Sequence, residues 1–254
     1  MVAMNETFLT QAIGDAGLAD YDTIMRRDRI DQWGGGIMLC VLKQYSKRVT
    51  LVEKSDAAER AWAVLHSDQG PYLFGIWYRP PAPGDTSTID TLESEWRRHS
   101  STVLGTILIG DINVHSIRWL THSAKETREG AAMHDTANRM GLRQIVRAPT
   151  RGPYLLDLVL SDVKDITAKP LKAMIADHQI VFTTMRMSIP QAIEHERSLW
   201  HFSSADWSRL ARDLQVEVWN LDCGANENAK IFTNRILELA RESIPHKAGK
   251  VREC

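Results

Sequence analysis

An aspartate and an asparagine, Asp111 and Asn113, come just after an apolar run at residues 106–109 and a glycine. Residues two apart in an extended chain point to the same side, so we expect both side chains to face one site at the end of a strand. The carboxylate can orient a metal-bound water or accept its proton, and the amide can donate to a phosphate oxygen. The structural alternative is a strand that ends in an Asx turn.

A second carboxylate, Asp157, stands in the middle of the continuous apolar run 155–160. An unpaired charge is costly in such a place, so this group needs a hydrogen-bonding or cationic partner. The pair Asp177-His178, just before the apolar residues 180–182, can supply one. A histidine held by a buried aspartate has a fixed tautomer and a raised basicity, which suits general acid or base chemistry. The alternative for His178 alone is a satisfied core histidine.

Two further positions carry weaker indications. Tyr78 and Arg79 end an apolar run and precede two prolines. A tyrosine can hydrogen-bond a phosphate oxygen, and an arginine can pair with one through two parallel hydrogen bonds. Glu6 lies close to the N-terminus, and by itself such a residue is most often a solvated surface group.

The elements that must hold these side chains are mostly short strands. The sequence predicts strands at residues 36–42, 49–52, 61–65, 72–78, 106–109, 155–160 and 180–187, and helices at 89–99 and 130–140. Many strands with few helices, in no strict alternation, favour an α+β layered sandwich over a doubly wound sheet. After residues 188–190, two amphipathic helices are predicted, from 203 to about 218 and at 228–243. They need something to pack on, so we interpret them as an extension.

Composition narrows the class of protein. A chain of 254 residues can hold one large domain with a small appendage. The net charge of −1 gives no global basic field, although a local groove can still be basic. Three cysteines without a CxxC pair predict a reducing compartment. No apolar run approaches the roughly 20 residues of a membrane span. The N-terminus lacks the features of a signal peptide. We therefore expect an intracellular protein without a membrane partner.

In chain order, the motifs resemble the endonuclease domain of non-LTR retrotransposons, a branch of the endonuclease/exonuclease/phosphatase superfamily. The motifs are Asn-Glu-Thr at 5–7, Arg-Asp-Arg and Gly-Gly-Gly at 27–36, Tyr-Arg-Pro-Pro at 78–81, Gly-Asp-Ile-Asn at 110–113, Pro-Thr-Arg at 149–151, Leu-Asp-Leu-Val-Leu-Ser-Asp at 156–162 and Asp-His at 177–178. The resemblance covers roughly residues 5–187. No single motif is decisive, but seven in the right order are specific.

The resemblance implies a four-layer α/β/β/α sandwich of two mostly antiparallel sheets over residues 1–188. Residues 189–254 are similar to the segment that links such domains to a reverse transcriptase. The family's first strand, which carries an active-site asparagine, has no counterpart before Glu6. We therefore predict a domain without its N-terminal strand, with an unpaired sheet edge and reduced or absent activity as the consequence.

The resemblance also implies roles for particular residues. Glu6 and Asp177 are expected to hold a Mg²⁺ or Mn²⁺ ion. Asp111, with or without His178, would position and deprotonate the attacking water, and Asp157 would orient His178. Asn113, Tyr78 and His178 would stabilise the transition state of phosphodiester hydrolysis. The expected DNA contacts are Arg79, Thr150 and Arg151.

The function implied is that of a metal-dependent endonuclease that nicks DNA, acts in the nucleus and works beside a reverse transcriptase. Two alternatives remain open at this point. One is another phosphoester hydrolase of the same superfamily, such as an inositol-phosphate or sphingomyelin phosphodiesterase. The other is a catalytically inactive remnant that only binds nucleic acid or a protein partner.

Overall fold

The computed structural model describes residues 1–14, 18–29, 34–189, 194–220 and 222–252. The chain divides into two compact units, Met1–Pro190 and Gln191–Cys254, and each is described by itself. Unit 1 has the strands β1 (Val2–Asn5), β2 (Tyr21–Arg27), β3 (Ile37–Leu42), β4 (Val49–Lys54), β5 (Glu59–Ser67), β6 (Gly70–Tyr78), β7 (Thr106–Asp111), β8 (Arg143–Gln144), β9 (Asp157–Ser161), β10 (Thr167–Ile175) and β11 (His178–Thr184). Its helices are α1 (Ser87–Asp90), α2 (Leu92–Ser100) and α3 (Arg128–Arg139), with a 3-10 segment at Lys43–Arg48.

The largest sheet has six strands in the order β4-β5-β6-β7-β9-β8. All neighbours are antiparallel except β6 and β7, which are parallel. A parallel pair needs a crossover connection, and here α1 and α2 form it. β7 therefore lies inside the sheet, between β6 and β9, which explains its nearly continuous apolar sequence.

Side chains of β6 alternate between two cores. Trp77 packs with the helices in one cluster, which also contains Leu92 of α2 and Met133 of α3. Its neighbour Tyr78 faces the opposite side, in a second cluster that includes Leu39 of β3. This alternation is the period of two expected of a strand. It places the helices on one face of the six-stranded sheet and a second sheet on the other.

The second sheet is antiparallel, with the order β1-β3-β2. β3 is its buried centre, and β1 is an edge strand that leads directly into Glu6. β10 and β11 form a separate hairpin, joined by a turn at Ala176-Asp177, so that His178 is the first residue of β11. Together the two main sheets and the packed helices confirm the α+β sandwich that the sequence predicts.

The strands β1, β2, β8 and β10 were not predicted, and each is short or lacks a regular apolar pattern. β10 contains Pro170 and two lysines, which suit an edge strand but do not resemble a buried one. The predicted helix at 89–99 is divided at Thr91 into α1 and α2. These differences arise because tertiary pairing decides whether short segments become strands.

Unit 2 contains two helices, α4 (Trp207–Val216) and α5 (Ala225–Ser243), and an antiparallel pair, β12 (Glu194–Trp200) and β13 (His246–Arg252). Both helices were predicted, and the strand pair was not. Asp206 caps α4 by accepting a hydrogen bond from the backbone N–H of Arg209 at 2.8 Å. The helix therefore begins with Asp206 as its N-cap, and not at residue 203, where the sequence pattern predicts its start. In the described part of the chain, no helix has the length and apolar character needed to cross a membrane.

Candidate active site

The end of β7 is held against β6 by a glycine. A Cβ atom at Gly110 would lie 1.8 Å from the backbone oxygen of Trp77, so only glycine fits between the two strands. Beyond it, the backbone N–H of Arg79 donates to the carbonyl of Asp111 at 2.9 Å. This close approach fixes the direction in which the side chain of Asp111 leaves the strand.

Asp111 and Asp157 stand directly opposite each other on β7 and β9. The side chain of Asp111 is buried, and burial together with the negative charge of Asp157 raises the pKa of Asp111 to about 7. The charge of His178 and a hydrogen bond from Asn113 act in the opposite direction. Asp111 and Asp157 face each other and Asp111 is buried, so a positive charge nearby would stabilise their ionised forms.

His178 supplies part of that charge. Its Nδ1 donates to Oδ2 of Asp157 at 2.8 Å, and this hydrogen bond raises the pKa of the imidazole. The predicted pairing of Asp157 with His178 is therefore present in the structure. Because Nδ1 is engaged, Nε2 is the ring atom left for chemistry, and it is buried without a hydrogen-bond partner among the described residues.

Thr150 holds the two strands that carry Asp157 and His178 in place. Its hydroxyl accepts hydrogen bonds from the backbone N–H groups of Leu156 and Asp157, at 3.1 and 3.0 Å. Its carbonyl accepts from the backbone N–H of Gln179 at 2.8 Å. Thr150 therefore fixes the start of β9 and the start of β11, the two points from which Asp157 and His178 project.

Glu6 reaches the same place from the second sheet. The hydroxyl of Tyr78 donates to Oε1 of Glu6 at 2.5 Å. Burial, followed by the interaction with Glu6, raises the pKa of Tyr78 well above its usual range. One side-chain ligand atom each from Glu6, Asp111 and His178 lie within 4.8 Å of one another. The structure thus gathers three residues that are far apart in sequence.

This cluster fits a hard divalent cation. Carboxylate oxygens are preferred by Mg²⁺ and Mn²⁺, and Glu6 and Asp111 provide them. Oδ1 of Asp111 is buried without a hydrogen-bond partner among the described residues, which is costly for a carboxylate. A cation would satisfy this oxygen and offset the charge that raises the pKa of Asp111.

Asp177 lies outside the cluster. Its carboxylate forms an ion pair with the guanidinium of Arg151, and the two side chains are 58% and 43% exposed. The predicted ligand pair was Glu6 with Asp177, whereas the structure brings Glu6 together with Asp111 and His178. The reason is the hairpin turn, in which the successive side chains of Asp177 and His178 leave the chain in different directions.

Two of the three expected DNA contacts are buried, and their expected roles are corrected. The guanidinium of Arg79 donates to the carbonyls of Ala82, Asp85 and Asn113 at 3.0, 2.7 and 3.3 Å. Arg79 as a whole is only 2% exposed. The side-chain N–H of Asn113 donates back to the carbonyl of Arg79 at 3.0 Å. Thr150 is fully buried. Both residues position the site, and only Arg151 is exposed to a ligand.

Asn113 has a backbone φ of 50°, in the left-handed region that non-glycine residues adopt infrequently. The reciprocal bonds with Arg79 hold it there. The sequence predicts Arg79 as a DNA contact and not in this role, because its partners are three carbonyls of a turn and a strand end. The one feature that could indicate the buried role is an arginine next to two prolines at the end of a buried strand.

Comparison with known proteins shows which proteins this chain is similar to. Residues 72–182 match the sequence model of a family described as "Endonuclease-reverse transcriptase". No curated protein sequence matches the chain. The endonuclease domain of TRAS1, a telomere-specific non-LTR retrotransposon, is 15% identical, with a TM-score of 0.53 over 66% of this chain and 80% of that chain.

Two other similar structures have lower TM-scores. The human Nocturnin catalytic domain with bound sulfate is 12% identical, with a TM-score of 0.47 over 71% of this chain and 78% of that chain. An endonuclease/exonuclease/phosphatase family protein from Bacteroides thetaiotaomicron is 13% identical, with a TM-score of 0.40 over 65% and 74%. The family match bears out the predicted resemblance over residues 72–182, and the similarity to the TRAS1 domain confirms the fold class.

Proposed function

We propose that this chain carries a metal-dependent DNA endonuclease that hydrolyses a phosphodiester bond and nicks one strand. One observation carries the proposal: Glu6, Asp111 and His178 offer ligand atoms within 4.8 Å of one another, and Asp157 orients the histidine from behind. A carboxylate pair beside an oriented histidine is an arrangement suited to activating water and protonating a leaving oxygen. The similarity to retrotransposon endonucleases supports DNA as the substrate.

Each residue of the cluster has a part in this proposal. Asp111 orients the attacking water and accepts its proton. His178, whose protonated form is favoured by Asp157, stabilises the phosphate in the transition state and moves a proton at Nε2. Tyr78 orients Glu6, because its phenol proton is committed to that carboxylate.

The segment 111–113, at the end of β7, supplies a further hydrogen-bond donor to the site. Asn113 donates one amide hydrogen to the carbonyl of Arg79, and its hydrogen bond to Asp111 can pass to a phosphate oxygen once a cation takes up the charge of that carboxylate. A Mg²⁺ or Mn²⁺ ion held by the carboxylates of Glu6 and Asp111 beside His178 would neutralise charge on the scissile phosphate and its leaving oxygen. Asp177 has no such role in the proposal, since Arg151 holds its carboxylate.

Arg151 is the proposed contact for the substrate backbone next to the cluster. Its side chain is 43% exposed, and a phosphate can replace Asp177 as its partner through the same paired hydrogen bonds. For the rest of the chain, we propose that residues 1–188 are the nuclease and that residues 189–254 connect it to a reverse transcriptase. The corresponding place of action is the nucleus, where such an enzyme meets DNA.

The test is a nicking assay on supercoiled plasmid with Mg²⁺, in which the full chain is compared with His178→Ala and with His66→Ala, an exposed histidine of β5. We expect the full chain and His66→Ala to nick in Mg²⁺ but not in EDTA, and His178→Ala to be inactive. Nicking that persists in EDTA or in His178→Ala would contradict the proposal. A folded chain that binds DNA without nicking it would favour the inactive remnant. Hydrolysis of small phosphodiesters, with DNA left intact, would favour another substrate.

A further inference from the structure

A polar cleft of about 190 Å³ lies on the helix side of unit 1. Its lining includes Trp119 and His134, whose rings are stacked with centroids 5.3 Å apart. Two arginines, Arg143 and Arg147, line the same cleft. None of these residues belongs to the catalytic cluster.

The cleft carries positive charge that is not neutralised within the described part of the chain. No lining residue of the cleft is acidic. The guanidinium of Arg143 donates to the carbonyls of Val163 and Lys164, at 2.6 and 2.9 Å, so its partners are uncharged. The guanidinium of Arg147 is exposed and has no hydrogen bond or ion pair with any described residue. For a chain whose net charge is −1, this is a local concentration of cations that fits an anionic ligand.

The arginines lie on one segment that leads to the catalytic cluster. Arg143 is in β8, which pairs with the end of β9, and the segment then runs back along β9. The N–H of Ile145 donates to the carbonyl of Val159, and the N–H of Thr150 to that of Tyr154. Arg151, next to Thr150, is the exposed cation beside the site. Arg143, Arg147 and Arg151 are spaced four positions apart in the sequence, and each step spans at most about 14 Å.

We propose that Arg143 and Arg147, in the cleft beside Trp119, bind the phosphate backbone of the DNA strand as it runs from the scissile phosphate at Arg151. The proposal rests on the proposed function and adds the path of the substrate to it. At a rise of roughly 3.4 Å per nucleotide, a step of at most about 14 Å corresponds to at most about four nucleotides. A row of separated cations suits a chain of phosphates, which is why a polynucleotide fits better than a single small anion.

Arg147 is the residue to change, because it is exposed and unpartnered, so its loss leaves no buried group unsatisfied. Arg147→Ala and Arg147→Glu are compared with Lys47→Glu, which makes the same charge change as Arg147→Glu. Lys47 is exposed in the 3-10 segment before β4, and β4 and β8 are the opposite edges of the six-stranded sheet. Those edges are about 24 Å apart at the usual strand spacing.

The measurement is the Kd of the full chain for a duplex of about 30 base pairs, by fluorescence anisotropy without divalent cations, over a series of salt concentrations. We expect Arg147→Ala to weaken binding several-fold at low salt and to reduce the slope of log Kd against log salt by about 1. Arg147→Glu should weaken binding further, and Lys47→Glu should leave the slope unchanged. All variants should melt at the temperature of the unchanged protein.

The outcomes separate this inference from the proposed function. If the unchanged chain binds and nicks DNA while Arg147→Ala keeps the full salt slope, the path is wrong and the endonuclease proposal stands. If the salt slope depends on Arg147 but no nicking occurs, the path stands and the nuclease proposal fails. If inorganic phosphate competes with the duplex at low millimolar concentration through Arg147, the cleft is a small-anion site and the path is overturned. A chain that binds no DNA overturns both.

Discussion

At the scale of single residues, the pairing of Asp157 with His178 decides which ring nitrogen faces the catalytic cluster. The carboxylate can only accept a hydrogen bond, so it keeps the proton on Nδ1. We predict that Asp157→Asn lowers the single-turnover nicking rate about 100-fold or more, because the amide no longer fixes the tautomer or stabilises the protonated ring. Asp165→Asn, at an exposed position between β9 and β10, is the matched control. An unchanged rate in Asp157→Asn would show that His178 is not oriented in this way.

A second residue-scale prediction concerns Arg79. Arg79→Met removes the donors to three carbonyls while it keeps most of the side-chain volume. A lost hydrogen bond from a charged group costs about 1.5–3 kcal/mol, so the loss of three should lower the free energy of unfolding by about 3 kcal/mol or more. Urea denaturation followed by circular dichroism measures it, with Arg147→Ala as the control that should change it by less than about 0.5 kcal/mol. A stable Arg79→Met protein with weakened DNA binding would instead support the contact predicted from sequence.

Residue types and spacing were enough to single out several of the side chains that meet at the candidate site. Asp111 and Asn113 follow a strand at a spacing of two, and Asp157 interrupts an apolar run, so each was unusual in its local sequence. The role of Arg79 was not predictable in this way, because the carbonyls that surround it come from a turn and from a different strand. The same holds for Thr150, whose two amide partners lie six and seven residues further along the chain.

At the scale of elements, the close approach of β6 and β7 depends on Gly110. We predict that Gly110→Ala prevents folding or lowers the free energy of unfolding by several kcal/mol, since the new Cβ would lie 1.8 Å from a backbone oxygen that cannot move aside cheaply. Gly84→Ala is the control: it also has a positive φ, of 78°, but no atom lies within 4 Å of its added Cβ. The control should lose only about 1 kcal/mol. Equal losses in a urea titration would contradict the close-approach argument.

The packing of α2 on β5 gives a prediction about pH. Burial alone would raise the pKa of Glu95, but its hydrogen bonds and ion pair with Arg60 outweigh that effect and hold it below the usual range. Because the folded pKa is depressed, this stabilisation is complete above the unfolded pKa of about 4.3 and is lost as pH falls through the folded value.

Glu95→Gln should therefore lower the free energy of unfolding by about 3–5 kcal/mol at pH 7, because Arg60 is left buried without its counter-charge. The difference from the unchanged protein should shrink as pH falls below about 4. Urea titrations of both proteins at a series of pH values measure this. A difference that stays constant over the whole range would mean that the pair does not titrate with folding.

The sequence predicted the strands whose apolar residues form a clear pattern. β6, β7 and β9 are apolar and buried, and their positions follow from the apolar runs in the sequence alone. β1 has four residues and β10 contains a proline, and both form because a partner strand is present. The consequence for the site is that Glu6, which follows β1, could be assigned only from a family pattern, whereas His178 was also expected as the partner of Asp157.

At the scale of the whole molecule, the net charge of −1 conceals how the arginines are distributed. Arg60 and Arg79 are buried and stabilise the fold, whereas Arg143, Arg147 and Arg151 are exposed along one segment. Sequence alone could not separate these groups, because burial is decided by contacts between distant strands. In the proposed function, DNA is bound by a local arrangement of arginines, and activity depends on one cation-binding cluster.

Titration of the full chain with Mn²⁺, followed by electron paramagnetic resonance, tests that cluster most directly, since it does not require turnover. We predict one saturable class of Mn²⁺ site, with affinity at least tenfold lower in Glu6→Gln and in Asp111→Asn and unchanged in Asp177→Asn. Circular dichroism would establish that each variant is folded. Binding that survives the first two substitutions, or that is lost in Asp177→Asn alone, would contradict the assignment of the metal to Glu6 and Asp111.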